Sequence, residues 1–295
     1  VFPKLMYGPE HAYSAPFTGS GTEESVRNLT VQDAQKYYQT WFKADNATVI
    51  VVGDTTMSEI KPKLEEVFAD WKPGGVPDKN IAKVEQESET VVYLLDRPGS
   101  IQSIIFAGNL TVPKDNPQEI AIQTVNNILG GQFTARLNMN LREDKHWSYG
   151  ARSVVVGARG QRPFFAYAPV QTDKTKESMV EIAKELGAIL KDQPPTEEEV
   201  ARTTTQQVLE LAGSWETIGA VSGSIAEIVQ YSLPDDYWAT YTEKLKSLEI
   251  PAVRAAVDEV VNLDRLIWVV VGDLAKIEPG IRELNLGEIV ILDVE

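Results

Sequence analysis

The amino-acid sequence predicts an α+β fold built from two related units. Three observations carry that reading. Two near-continuous apolar segments, 46–53 (NATVIVVG) and 266–272 (LIWVVVG), each end in Gly-Asp ahead of a helical pattern. Segments 148–156 and 163–171 alternate in polarity around Gly157–Gly160, as the arms of a hairpin do. From Asp173 to Val261 the pattern is helical almost throughout, and strands and helices in this mixture make an α+β domain.

Taken in order, residues 1–25 are rich in Gly, Pro, Ser and Thr and read as loop. Thr30 with Asp33 caps a helix over 31–42, strand 46–53 follows, and a second helix covers 57–71. Two prolines and two glycines between 72 and 83 mark a linker. Strands at 90–96 and 102–108 flank the turn Arg97-Pro98-Gly99-Ser100. Asn116 as N-cap and Pro117 in the first turn start a helix with Ile122, Val125 and Leu129 inward and Gly130 as its stop. Residues 130–153 then read as a helix, a charged turn and a strand. Leu137 and Leu141 share a helical face, Arg142 closes the helix, and Tyr149 opens the strand. Thr196 with Glu199 is a capping box after Pro194-Pro195, and Pro234 and Pro251 start further helices. Strand 266–272, a short helix and a closing strand at 289–293 finish the chain.

The two Gly-Asp segments belong to a longer repeat. Each copy runs helix, turn with Asp, apolar strand, Gly-Asp, helix, and the copies are offset by 219 residues, the scale of a duplicated domain rather than a solenoid. The expected organisation is therefore residues 1–72 as the closing part of a first, incomplete domain, 73–84 as linker, and 85–295 as a complete second domain. The remainder of the first copy is expected elsewhere, in a partner or a preceding region.

Composition narrows the function. The formal charge of −15 argues against a nucleic-acid or anionic-membrane partner. Without cysteine there is no disulfide, thiolate metal site or cysteine nucleophile. No apolar run reaches the roughly 20 residues of a membrane-spanning helix. Only two histidines occur, His11 and His146.

Repeat and junction together resemble the pitrilysin-type zinc peptidases, the inverzincins, which include insulin-degrading enzyme and mitochondrial processing peptidase. In the first part the resemblance is carried by His11-Ala12-Tyr13, Gly21 to Ser25, Leu29-Thr30, Asn46 and Val51 to Asp54. In the second it is carried by GGQFTARLNMNLREDKHWSY at 130–149. It implies a duplicated metallopeptidase-like domain of the processing-peptidase/LuxS-like kind, a largely antiparallel sheet with helices on one face. It also implies that Arg142 and Tyr149 bind the substrate backbone across a cleft from zinc. The family's metal motif, H-x-x-E-H, is absent. No cofactor is then expected on this chain, and zinc only on the missing or partner half. The expected role is the non-catalytic half of a peptidase, with peptide substrate and an H-x-x-E-H-bearing half as partners in a heterodimer. No activity is expected from the chain alone, and bacterial relatives suggest the periplasm or another extracytoplasmic compartment, with the cytoplasm as the alternative. The alternative is a structural subunit of the same fold, like a respiratory-complex core protein. His146 stands where the family carries glycine, and Trp147 replaces a smaller aliphatic residue.

Each candidate has a plainer account. Arg142 can make a surface ion pair with Glu143 or Asp144, with Tyr149 as strand filling. Glu143 and His146 supply two ligands, short of a zinc site. Ser58-Glu59-Ile60-Lys61 matches S-x-x-K but lies in an amphipathic helix without companion motifs. Trp147, Trp215 and Trp238 can line a peptide groove or fill a core.

Overall fold

The computed structural model describes residues 1–86 and 89–293. Six strands form one sheet: β1 (Val91–Asp96), β2 (Gln102–Thr111), β3 (Arg152–Val155), β4 (Arg162–Gln171), β5 (Ile267–Gly272) and β6 (Glu288–Leu292), in the order β3-β4-β2-β5-β1-β6. The β3-β4, β4-β2 and β2-β5 pairings are antiparallel, and β5-β1 and β1-β6 are parallel. The sheet is thus antiparallel on one side and parallel on the other. The apolar β5 sits near its middle, where burial on both faces suits an unbroken hydrophobic strand. Gly99, at φ 75°, turns β1 into β2 in a conformation costly for any residue with a Cβ.

Alternation sorts side chains between two cores. Val92, Leu94, Ile105, Ala107, Phe164, Trp268 and Val270 face the helices at Glu119–Asn126, Thr175–Leu190, Glu197–Leu211, Ile250–Val260 and Leu274–Arg282, and form the main core. The opposite face presents Phe106, Leu110, Phe165, Tyr167 and Val269. It is covered by the N-terminal helix Phe2–Tyr7 through Phe2, Met6 and Tyr7. Tyr7 Oη donates to the Gln161 carbonyl at 2.8 Å, tying the start of the chain to the rim of β4.

Both segments of the sequence repeat carry a pair of helices. Val31–Trp41 and Met57–Val67 correspond to Ile250–Val260 and Leu274–Arg282, and the expected Thr30–Asp33 and Thr196–Glu199 capping boxes form. Between the second pair β5 is fully paired. Between the first pair, the expected strand at 46–53 joins no ladder: Asn46 ends a short helical turn over Ala44–Asn46, and 47–52 have no regular structure. An apolar segment becomes a strand only against a neighbouring strand that takes its N–H and C=O groups, and no described strand pairs with this one. The same region leaves Leu29, Val31, Tyr37, Tyr38, Val49, Val51 and Met57 exposed.

Three local expectations are also revised. The opening 1–25, expected as loop, carries the helix Phe2–Tyr7, the short turn Ala12–Ser14 and the start of the helix Glu23–Asn28. The helix expected from Asn116 begins at Glu119, with Asn116 Oδ1 accepting from Gln118 N at 2.9 Å. Gly130 is not a stop. It lies within a wide π-type turn over Asn127–Gly131, where a Cβ would overlap the Ser153 backbone. Glycine is there for close approach to β3.

Candidate functional site

The junction between residues 130 and 153 folds as a helical turn at Arg136–Asn138 that widens into a π-type turn over Met139–Asp144. Leu137 and Leu141 anchor it in the main core. Backbone bonds from Lys145 N to Asn140 O and from Trp147 N to Leu141 O reverse the chain. His146 makes that reversal at φ 56°, the left-handed region that favours glycine. A histidine here thus holds a backbone conformation that glycine adopts at lower cost. Its Nδ1 lies 3.0 Å from the Arg142 carbonyl, and its own carbonyl accepts from Gln171 Nε2 at 3.2 Å. Trp147 packs against the main core.

Tyr149 does not open a strand. Ser148 makes a single bridge to Val170, and its Oγ donates to the Pro169 carbonyl at 2.6 Å and accepts from Gly150 N at 3.1 Å. That bends the chain outward before β3, and Tyr149 stands 85% exposed.

The structure brings Arg142 and Tyr149 together and adds a third residue. The Arg142 guanidinium carbon lies 5.3 Å from the Tyr149 ring centroid and 4.6 Å from that of Phe133, so the cation sits between two rings. The plainer ion pair forms as well, with Arg142 Nε 3.3 Å from Glu143 Oε1. At the surface that pair contributes at most about 1 kcal/mol. Neither the guanidinium nor the Tyr149 hydroxyl makes a well-aligned hydrogen bond among the described residues. Lys145 beside Asp144 holds that carboxyl below its usual range, and the amide of Asn140 does the same for Glu181. Both acids are thereby engaged by neighbours other than Arg142.

Sequence reasoning missed Phe133 and Asn138. Asn138 is buried, its Nδ2 donating to the Phe133 carbonyl at 2.7 Å and its Oδ1 accepting from Ala151 N at 3.1 Å. One amide thus ties together the loops that present the two rings. The available signal was its place four residues before Arg142, within the same helical stretch. Asn138→Leu is expected to leave both backbone groups unpaired and lower stability by about 1–3 kcal/mol. Urea unfolding reads this, and an unchanged midpoint would show that the ties are replaced by water.

The other candidates take their plainer roles. His11 caps the short helix Ala12–Ser14 through Nδ1 and reaches the Ala82 carbonyl through Nε2 at 3.1 Å. Glu59 belongs to the capping box with Thr56, whose hydroxyl also meets Ser58, and Lys61 pairs with Glu65. Trp215 and Trp238 meet edge to face at 5.8 Å, away from Trp147 in the main core. Among the described residues no group of three or more His, Cys, Asp or Glu side chains could hold a metal ion. No helix among them is long and apolar enough to cross a membrane.

Comparison with known proteins matches residues 28–207 to the family described as peptidase M16 inactive domain. A Bacillus subtilis relative named probable inactive metalloprotease YmfF is 24% identical over 196 residues, 65% of this chain and 45% of that protein. The structure of a peptidase M16 inactive domain from Pseudomonas fluorescens superposes with a TM-score of 0.80 at 22% identity, over 91% of this chain and 63% of that one. A chain of complex III2 from Candida albicans superposes with a TM-score of 0.76 at 17% identity, over 96% of this chain and 69% of that one. At these identities the superpositions show the fold. The chain spans under half the length of the curated relatives it matches.

Proposed function

We propose, for a chain that belongs to the peptidase M16 inactive-domain family, that it is the non-catalytic, peptide-holding half of a zinc peptidase. The observation that carries this reading is the Arg142–Tyr149 pair: a guanidinium oriented by two rings beside an exposed phenol, both with donors to spare. Each can donate to a peptide carbonyl. Donors fixed in advance favour the negative charge that the carbonyl oxygen gains as it is attacked. Zinc, water activation and proton transfer belong to a half bearing H-x-x-E-H, in a partner chain or another region of the same protein. The two halves close a chamber with the pair facing the metal, as a heterodimer where they are separate chains. The exposed apolar side chains around Leu29, Tyr37 and Val49 and the unpaired segment 46–53 support a covering half. Residues 1–72 are then the end of the first domain, 73–84 the linker and 85–295 the second domain. Placement in the periplasm is part of the proposal, by analogy with bacterial relatives, and cell fractionation tests it.

The chain alone is expected to cleave no peptide, and adding the H-x-x-E-H half is expected to give chelator-sensitive cleavage. Cleavage by the chain alone, or none with any co-purifying metal half, overturns the proposal. A second reading, a structural subunit without proteolysis, is favoured by the fold shared with the complex III chain. Affinity capture separates the two: an H-x-x-E-H protein among the partners supports the first, and a non-proteolytic complex without one supports the second.

A further inference from the structure

Away from Arg142 and Tyr149, one cavity combines aromatic rings, carboxylates and a phenol without a partner. It measures about 350 Å³ and lies between β3 and the helices Glu119–Asn126, Glu197–Leu211, Ile218–Tyr231 and Tyr237–Lys246. Its aromatic wall is Tyr237, Trp238 and Tyr241, whose centroids are 5.0–5.7 Å apart in tilted or edge-to-face contact. Tyr241 Oη donates to Gln207 Oε1 at 3.4 Å. Tyr237 is nine-tenths buried and lines the cavity, yet its hydroxyl makes no hydrogen bond among the described residues. The ring is buried while the hydroxyl is reached from the cavity, so it is free to exchange a hydrogen bond with a group that enters there.

The charges around this wall do not balance. Glu119 is paired with Arg162 and Glu227 with Lys114. Glu210 has no cation among the described residues and accepts only from Gln206 Nε2, at 2.9 Å. Three carboxylates, Glu119, Glu210 and Glu227, line the cavity against one lining cation, Lys114; burial pushes the Tyr241 phenol up to about 12, and the same three carboxylates add to that shift. The protein already seats one ammonium in this way. Lys114 pairs with Glu227 and lies 5.0 Å from the Tyr231 ring centroid.

We infer that the cavity is a binding site for a second monocation, the guanidinium or alkylammonium end of a basic side chain. Glu210 supplies the counter-charge, the Tyr237 hydroxyl accepts a hydrogen bond, and Trp238 offers an aromatic surface. The net charge of −15 favours the approach of such a ligand. The inference is independent of the peptide-holding role of Arg142 and Tyr149.

Calorimetric titration of the chain with N-acetyl-arginine amide, N-acetyl-lysine amide and the neutral isostere N-acetyl-citrulline amide tests it. Saturable binding of at least one cation and none of citrulline is expected. The stronger cation identifies guanidinium or ammonium as the preferred group. Glu210→Gln, an exposed substitution, is expected to weaken binding about tenfold, and Tyr237→Phe, which keeps the ring, to weaken it several-fold. Citrulline binding as well as arginine, no saturable binding of either cation, or unchanged affinity in Glu210→Gln overturns the inference.

Discussion

Arg142→Ala is expected to lower kcat/KM of the assembled peptidase about 100-fold, the usual cost of removing a donor aimed at a developing oxyanion. Tyr149→Phe, which keeps the ring against the guanidinium and loses only the hydroxyl, is expected to cost about tenfold. Arg142→Lys is expected to rescue little. A lysine places a charge there but not the planar fork that lies between the Phe133 and Tyr149 rings. All three variants should unfold within about 0.5 kcal/mol of the parent, because their side chains leave the core untouched. Steady-state kinetics beside denaturant unfolding reads both quantities. A large loss of stability in Arg142→Ala would move the residue from substrate contact to scaffold.

Arg162→Ala is expected to destabilise the fold by about 3–5 kcal/mol. Arg162 is fully buried at the start of β4 and reaches Glu119 through both terminal nitrogens, while its Nε donates to the Val112 carbonyl at 2.9 Å. Glu119 also accepts from Asn116 and Gln123 at 3.0 Å. Alanine at 162 leaves a buried carboxylate with no cation, a large loss against a net stability of about 5–15 kcal/mol. The double replacement Arg162→Leu with Glu119→Leu should recover much of that loss, since a buried pair is often no more stabilising than an apolar one of similar volume. Urea midpoints for the single and double variants decide it. A single variant within 1 kcal/mol of the parent would show that water reaches Glu119.

How far these features could be read from the chain depends on how local their causes are. The capping boxes at Thr30 and Thr196 and the β1–β2 turn at Gly99 rest on residues within a few positions, and their motifs were readable. β5 was legible because an unbroken apolar run suits a central strand. The matching run at 46–53 carried the same signal, but pairing depends on a neighbour that no periodicity encodes. The Arg142–Tyr149 pair came from spacing within a resembling motif, and the structure brings the two together. Phe133 and the tie through Asn138 were not legible, since their partners meet only after the chain reverses at His146. The Arg162–Glu119 pair, 43 residues apart, was invisible for the same reason.

Equilibrium binding measures, without chemistry, whether Arg142 and Tyr149 hold a peptide backbone. An unstructured peptide is titrated into the assembly whose H-x-x-E-H glutamate is replaced by glutamine, with this chain either native or carrying Arg142→Ala and Tyr149→Phe together. At least tenfold weaker binding with the double variant is the predicted result. Equal affinity would contradict the assignment and leave the pair as surface structure.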